Sequence, residues 1–155
     1  MSDLNEVVAA ANQLNEQKQD DEALLVLIGM REKALAAEPA LKDDPNLEVV
    51  YEGTTMGPLD DLKRLGKRVL NRWNKELYGI CCGNESVDSK ERAALLNSLN
   101  LGEAAVIAAV AGVLISLGVG AAIAAPLAPL IVRRFIWPAK DELCVAWRES
   151  IEAED

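Results

Sequence analysis

No histidine occurs anywhere in this chain of 155 residues. That removes the commonest general base near neutral pH, together with every catalytic dyad or triad built on imidazole. Cysteine is also scarce. Cys81, Cys82 and Cys144 are the only three, an odd number with two adjacent in sequence. That is a poor framework for a disulfide-stapled secreted domain, so a reducing cytosol is the expected setting. Three thiols without an imidazole also fall short of a four-ligand zinc site, so no metal is expected. No base flanks Cys81 or Cys82 to activate a thiolate, and the pair reads as small buried or half-buried thiols at a helix end. A basic-then-apolar leader is missing from the first 20 residues, glycine does not follow Met1, and the sequence closes on Glu-Ala-Glu-Asp. These features predict no secretory signal, myristoyl group or prenyl group, and the expected location is the cytoplasm.

Phosphate chemistry is absent too. Gly112, Gly118 and Gly120 lie in alanine and leucine with no Lys-Ser or Lys-Thr after them and no strand pattern before them, so they form no nucleotide loop. The acidic pairs Asp20-Asp21, Asp43-Asp44 and Asp60-Asp61 fall at expected helix starts or in a linker, where capping and solvation account for them. No catalytic residue and no cofactor is assigned. The expectation is a protein that is not an enzyme.

What is present is helical patterning. Asp3 and Glu6 have capping-box spacing ahead of Leu4, Val7, Val8, Ala11 and Leu14. Asp20 or Asp21 starts a second helix carrying Leu24, Leu25, Leu27, Ile28, Met30, Ala34 and Leu35, which Pro39 ends. Residues 1–38 thus read as an antiparallel helical hairpin. Its close, Ala-Leu-Ala-Ala-Glu-Pro, resembles that of a single tetratricopeptide unit, but no second copy follows at the required period, so no repeat array is implied. Residues 39–57, with Pro39, Pro45, Gly53 and Gly57, read as a linker containing one strand-like run, Leu47 to Tyr51. Residues 58–155 read as a helical bundle. Pro58, Asp60 and Asp61 open a helix to about Tyr78 with Leu62, Leu65, Val69, Trp73 and Leu77 as its buried stripe. Asp88 opens a short helix with Leu95, Leu96 and Leu99. A terminal helix follows Pro138, Asp141 and Glu142, with Leu143, Trp147 and Ile151 on one face. The fold class is all-α: a helical hairpin plus a small bundle centred on an apolar hairpin.

That apolar element is the most unusual feature. From Ala104 to Val132, 29 consecutive residues carry no charge, and ten of them are alanine. One continuous helix of that length would extend roughly 44 Å, enough for a tilted bilayer span. Phe135 and Trp137 beside Arg133 and Arg134 would then be interfacial anchors. Gly118, Gly120, Pro126 and Pro129 instead favour a break into two short helices forming a buried hairpin. In either setting Val110, Leu114, Leu117, Ile123, Leu127, Leu130, Phe135 and Trp137 form the hydrophobic segment for packing, oligomerisation or lipid.

The net charge of −9 argues against nucleic acid as a partner. Residues 1–57 hold 4 basic and 12 acidic side chains, residues 58–80 hold 6 and 3, and residues 81–155 hold 6 and 10. Only the middle segment is net positive. There Arg64, Arg68, Arg72 and Lys75 recur along one helix face with Lys63 and Lys67 beside them, a surface suited to an acidic partner or anionic lipid. The alternative is a solvated face neutralised by the acidic first hairpin. The functional expectation is a non-enzymatic interaction or effector protein, acting through self-association as a homo-oligomer or through a protein partner. The rival expectation is a small membrane-associated effector that inserts residues 104–132 and perturbs a bilayer.

Overall fold

The computed structural model describes residues 4–17, 20–83, 90–138 and 142–154. The fold is all-α. In chain order its helices are α1 (Leu4–Glu16), α2 (Asp21–Ala37), a 3-10 turn (Pro39–Asp43), the short α3 (Gly53–Met56), α4 (Leu59–Tyr78), α5 (Lys90–Ser98), α6 (Glu103–Ser116), α7 (Ala121–Ile131) and α8 (Leu143–Glu154). Wide π-type turns follow α4 at Gly79–Gly83 and α7 at Val132–Ile136.

Local chemistry explains most boundaries. Asp20 caps α2 by accepting a hydrogen bond from the Ala23 amide at 2.7 Å. Pro58 precedes the first turn of α4, where Asp60 and Asp61 meet the positive end of the helix dipole. The capping residues expected at Asp3 and Asp88, and the first-turn Asp141, lie outside the described residues. Leu47 to Tyr51 adopts neither helix nor strand, and no strand occurs among the described residues. The run has the residue types of a strand but lacks a second strand to bond, so it lies along the helices as an ordered connection.

The uncharged stretch is two helices, and Gly118 makes the break. Its φ of +97° is the left-handed conformation that favours glycine. The Val119 amide bonds the Leu114 carbonyl at 3.0 Å and the Gly118 amide bonds that of Ile115 at 3.0 Å, which closes α6 with a Schellman motif. Gly120 then lets the chain pass against the Lys42 backbone, where a side chain would collide. Among the described residues no helix is long and apolar enough to cross a membrane.

Helix α7 occupies the centre, and all eleven of its residues are buried. Helices α1 and α6 cover it on one side, and α2 covers it on another with α4 packed behind. Pro126 inside α7 has no amide to bond the Ala122 carbonyl one turn earlier. Arg31 of α2 supplies the missing donor, its Nη1 reaching Ala122 O at 2.8 Å. An intrahelical proline is therefore accommodated by a buried cation from a neighbouring helix.

This arrangement corrects the expected hairpin of α1 and α2. Each has its main contacts elsewhere, α1 with α6 and α7, α2 with α4 and α7, because the more apolar α7 inserts where both faces can bury against it. Helices α1, α2 and α4 to α8 accordingly contribute to one core. The total accessible surface is 8370 Å², close to the roughly 7,600 Å² expected for a folded monomer of this mass. The chain covers its own apolar segment.

Helices α2 and α4 cross through glycine. Gly29 faces the backbone of Leu62, and Gly66 faces the backbone of Leu25, each so close that a Cβ on the glycine would overlap a carbonyl oxygen. The buried stripe of α4 is consequently Leu62, Gly66, Leu70, Asn74 and Leu77. The expected Leu65, Val69 and Trp73 are half-buried at its margin, and in α5 Leu96 is exposed while Leu95 is buried. At the far end of α4, Asn74 Oδ1 accepts from Trp147 Nε1 at 2.8 Å, and Tyr78 meets the Trp147 ring edge-on at 5.6 Å.

The cysteines also depart from expectation. Cys82 and Cys144, 62 positions apart, form a disulfide that ties the turn after α4 to α8, while Cys81 stays outside it as a buried thiol. The adjacent pair is separated by role, since only Cys82 joins the bridge. The bridge removes the grounds on which the cysteine content had suggested a reducing compartment.

Candidate functional site: the basic face of helix α4

Because Leu62, Gly66, Leu70 and Leu77 face inward, the basic positions of α4 are turned outward by helical geometry. Arg64, Lys67, Arg68, Arg72 and Lys75 are all exposed. These residues sit on one rigid helix of 20 residues, backed by α2.

The surface is sculpted. Arg64, Lys67, Arg68 and Asn71 line a shallow depression of about 360 Å³. A neighbouring one of about 270 Å³ is lined by Lys33, Asp61, Arg64, Leu65 and Arg68, so Lys33 of α2 extends the positive surface across the helix boundary. That contribution was invisible in the helix pattern of α4. Arg72 stacks over Trp73, its guanidinium carbon 4.7 Å from the ring centroid. This cation–π contact anchors the charge on the aromatic ring beside it.

Acidic side chains pair with the first turns of the face. Lys63 Nζ meets Glu22 of α2 at 2.7 Å, and Arg64 meets Asp61 within its own helix at 3.2 Å. Glu32 lies near Arg72. Burial holds its carboxyl above the ordinary carboxylate range, and Arg72 opposes that shift.

No family model, curated protein or solved structure matches this chain. Its site is therefore defined by geometry alone. No group of three or more His, Cys, Asp or Glu side chains able to hold a metal occurs among the described residues.

The hydrophobic candidates fall into two groups. Val110, Leu114, Ile123, Leu127, Leu130 and Phe135 are buried in the core beneath the chain's own helices. Leu117 and Trp137 are half-buried and pack against that core. Arg133 and Arg134, beside Phe135, bond to α1 and to the start of α2. Arg133 Nε donates to Asn15 Oδ1 at 2.8 Å, and Asp21 Oδ1 lies 3.6 Å from Arg133 Nη1. Arg134 Nε is 3.9 Å from Asp21 Oδ2. The pair locks the end of α7 to the junction of α1 and α2.

A site that helical patterning missed lies on the other side of α2. Arg31 is buried, and it lines a groove of about 500 Å³ bounded by α1 and the run 45–50. Burial lowers its pKa to about 10 against the opposing influence of Asp44, which leaves the guanidinium charged at neutral pH.

Proposed function

We propose that this protein is a non-enzymatic helical binding protein whose recognition surface is the basic face of α4 and whose partner presents an acidic protein surface. One observation carries the reading: five exposed cationic side chains lie along a helix whose opposite face is locked against α2 by the glycine crossing. A rigid backing keeps the spacing of the charges fixed, so less order has to be imposed on binding. In a chain of net charge −9 this concentrated positive field opposes the overall charge, and such a patch steers an acidic partner to one face. The acidic N-terminal half of a second copy has the required chemistry, so self-association is one form of the same interaction. The burial of α7 supports binding through α4 rather than through the apolar hairpin.

The triple substitution Arg64→Glu, Arg68→Glu and Arg72→Glu tests the proposal. Binding to a poly-glutamate peptide, followed by fluorescence anisotropy, is expected to weaken by more than about tenfold and to lose its salt dependence. Helical circular dichroism should be retained, since all three positions are exposed. Unchanged binding by a folded triple variant would make α4 a solvated face. Equal loss of binding to phosphatidylglycerol vesicles, with poly-glutamate binding intact, would transfer the surface to lipid.

A further inference from the structure

The groove beside Arg31 is a second site, separate from the α4 surface. Arg31 is only 5% exposed, and both of its hydrogen bonds leave from Nη1, to Ala122 O at 2.8 Å and to Pro45 O at 3.1 Å. The first satisfies the carbonyl that Pro126 leaves without an amide, and the second fixes the chain after the 3-10 turn. Those structural duties use one nitrogen. Nε is buried and has no partner. Asp44 is the nearby carboxylate, but its Oδ1 is engaged with the Asn46 amide at 3.0 Å. A buried guanidinium edge without an acceptor is an incomplete site, because Nε and Nη2 together present two parallel donors spaced for the two oxygens of a carboxylate.

The surroundings indicate the rest of the ligand. Ala10 and Leu14 of α1, Leu27 of α2 and Leu47 supply apolar wall, and Gln13 and Asn46 supply amides. Gln17, Pro45 and the run 48–50 complete the wall, and the backbone of 48–50 makes no hydrogen bond to the backbone of any other described residue. Val50 on its rim is 84% exposed. A run whose amides and carbonyls make no backbone bonds can pair with another extended chain. Glu48, also on the rim, is exposed and stands in water.

We infer that this groove binds the free carboxyl terminus of an extended peptide, with the terminal carboxylate on the Nε–Nη2 edge of Arg31 and the peptide backbone paired along residues 48–50. The last side chain of the peptide is aliphatic, to match Leu14, Leu27 and Leu47. Nε lies beneath the surface, and the 48–50 wall is the part that moves to admit the ligand, since no backbone bonds hold it.

The test uses full-length protein and two pools of acetylated tetrapeptides ending in Val, Leu or Ile, one with free acid termini and one with C-terminal amides. Titration by NMR, following the Arg31 Nε–H resonance and the amides of 48–50, is expected to show binding of the acid pool and at least about tenfold weaker binding of the amide pool. Arg31→Lys keeps the charge and a donor for Ala122 O but loses the fork, and should reduce binding of the acid pool to that of the amide pool. The triple α4 variant should bind both pools as the unaltered protein does, so the two sites are tested separately. Equal binding of both pools, or no binding of either at millimolar concentration, overturns the inference even if the Arg31 variant fails to fold. Isovalerate binding as tightly as the acid pool would overturn the peptide assignment.

Discussion

Replacing Leu114 or Ile123 by arginine abolishes cooperative folding of the detergent-free protein. Leu114 is fully buried in α6 and Ile123 is buried in α7. An arginine there either carries an unpaired charge into the core or forces α6 and α7 apart. The expected loss is more than about 5 kcal/mol, comparable with the whole stability of an ordinary domain. Chemical denaturation followed by circular dichroism should show no sigmoidal transition. Leu101, 76% exposed at the mouth of α6, is the control, and its replacement by arginine should change stability by less than about 0.5 kcal/mol. If the Leu114 variant instead folds normally and becomes more soluble, the hairpin has its apolar face outside the protein.

Gly66→Ala should be strongly destabilising, against the usual sign of that substitution. In an open helix, alanine in place of glycine stabilises by about 1 kcal/mol. Here the added methyl would enter the Leu25 carbonyl, and the reciprocal change Gly29→Ala would enter that of Leu62. Backbone on both sides leaves no flexible side chain to yield, so α2 and α4 must separate. Their separation would loosen the buried contacts of Leu62 and Leu70. A net loss of roughly 2–3 kcal/mol is expected for each, a fall in Tm of about 4–12 °C for a chain of this size. Gly112→Ala supplies the contrast. Its nearest neighbour is the Leu4 side chain at 3.9 Å, ordinary contact, so that change should raise Tm. If all three variants shift Tm the same way, the crossing is not closely packed.

The limits of α2 and α4 were legible from their caps and prolines, and the break at Gly118 was legible because glycine marks the turn. So was the exposure of Arg64, Lys67, Arg68, Arg72 and Lys75, which follows from helical spacing. The buried side of α4 was displaced by one position because patterning counts hydrophobic residues, whereas Gly66 and Asn74 face inward for other reasons, one for backbone approach and one to bond Trp147. Arg31 was unreadable locally. Its burial depends on Pro126, whose effect is felt at Ala122, 91 positions away in sequence. The Cys82–Cys144 bridge depends likewise on where α8 docks. The Leu47 to Tyr51 run shows the converse case, in which local composition suits a strand but the fold offers nothing to pair with it.

The central claim is that an uncharged segment long enough to suggest a membrane span is instead folded in two and enclosed by the chain's own helices. Hydrogen exchange on the full-length protein without detergent tests it most directly. The amides of 121–131, prolines excepted, and of 106–114 should be among the slowest in the molecule, opening only with global unfolding. Exchange in those helices as fast as in residues 48–50, with protection gained only when vesicles are added, would contradict it.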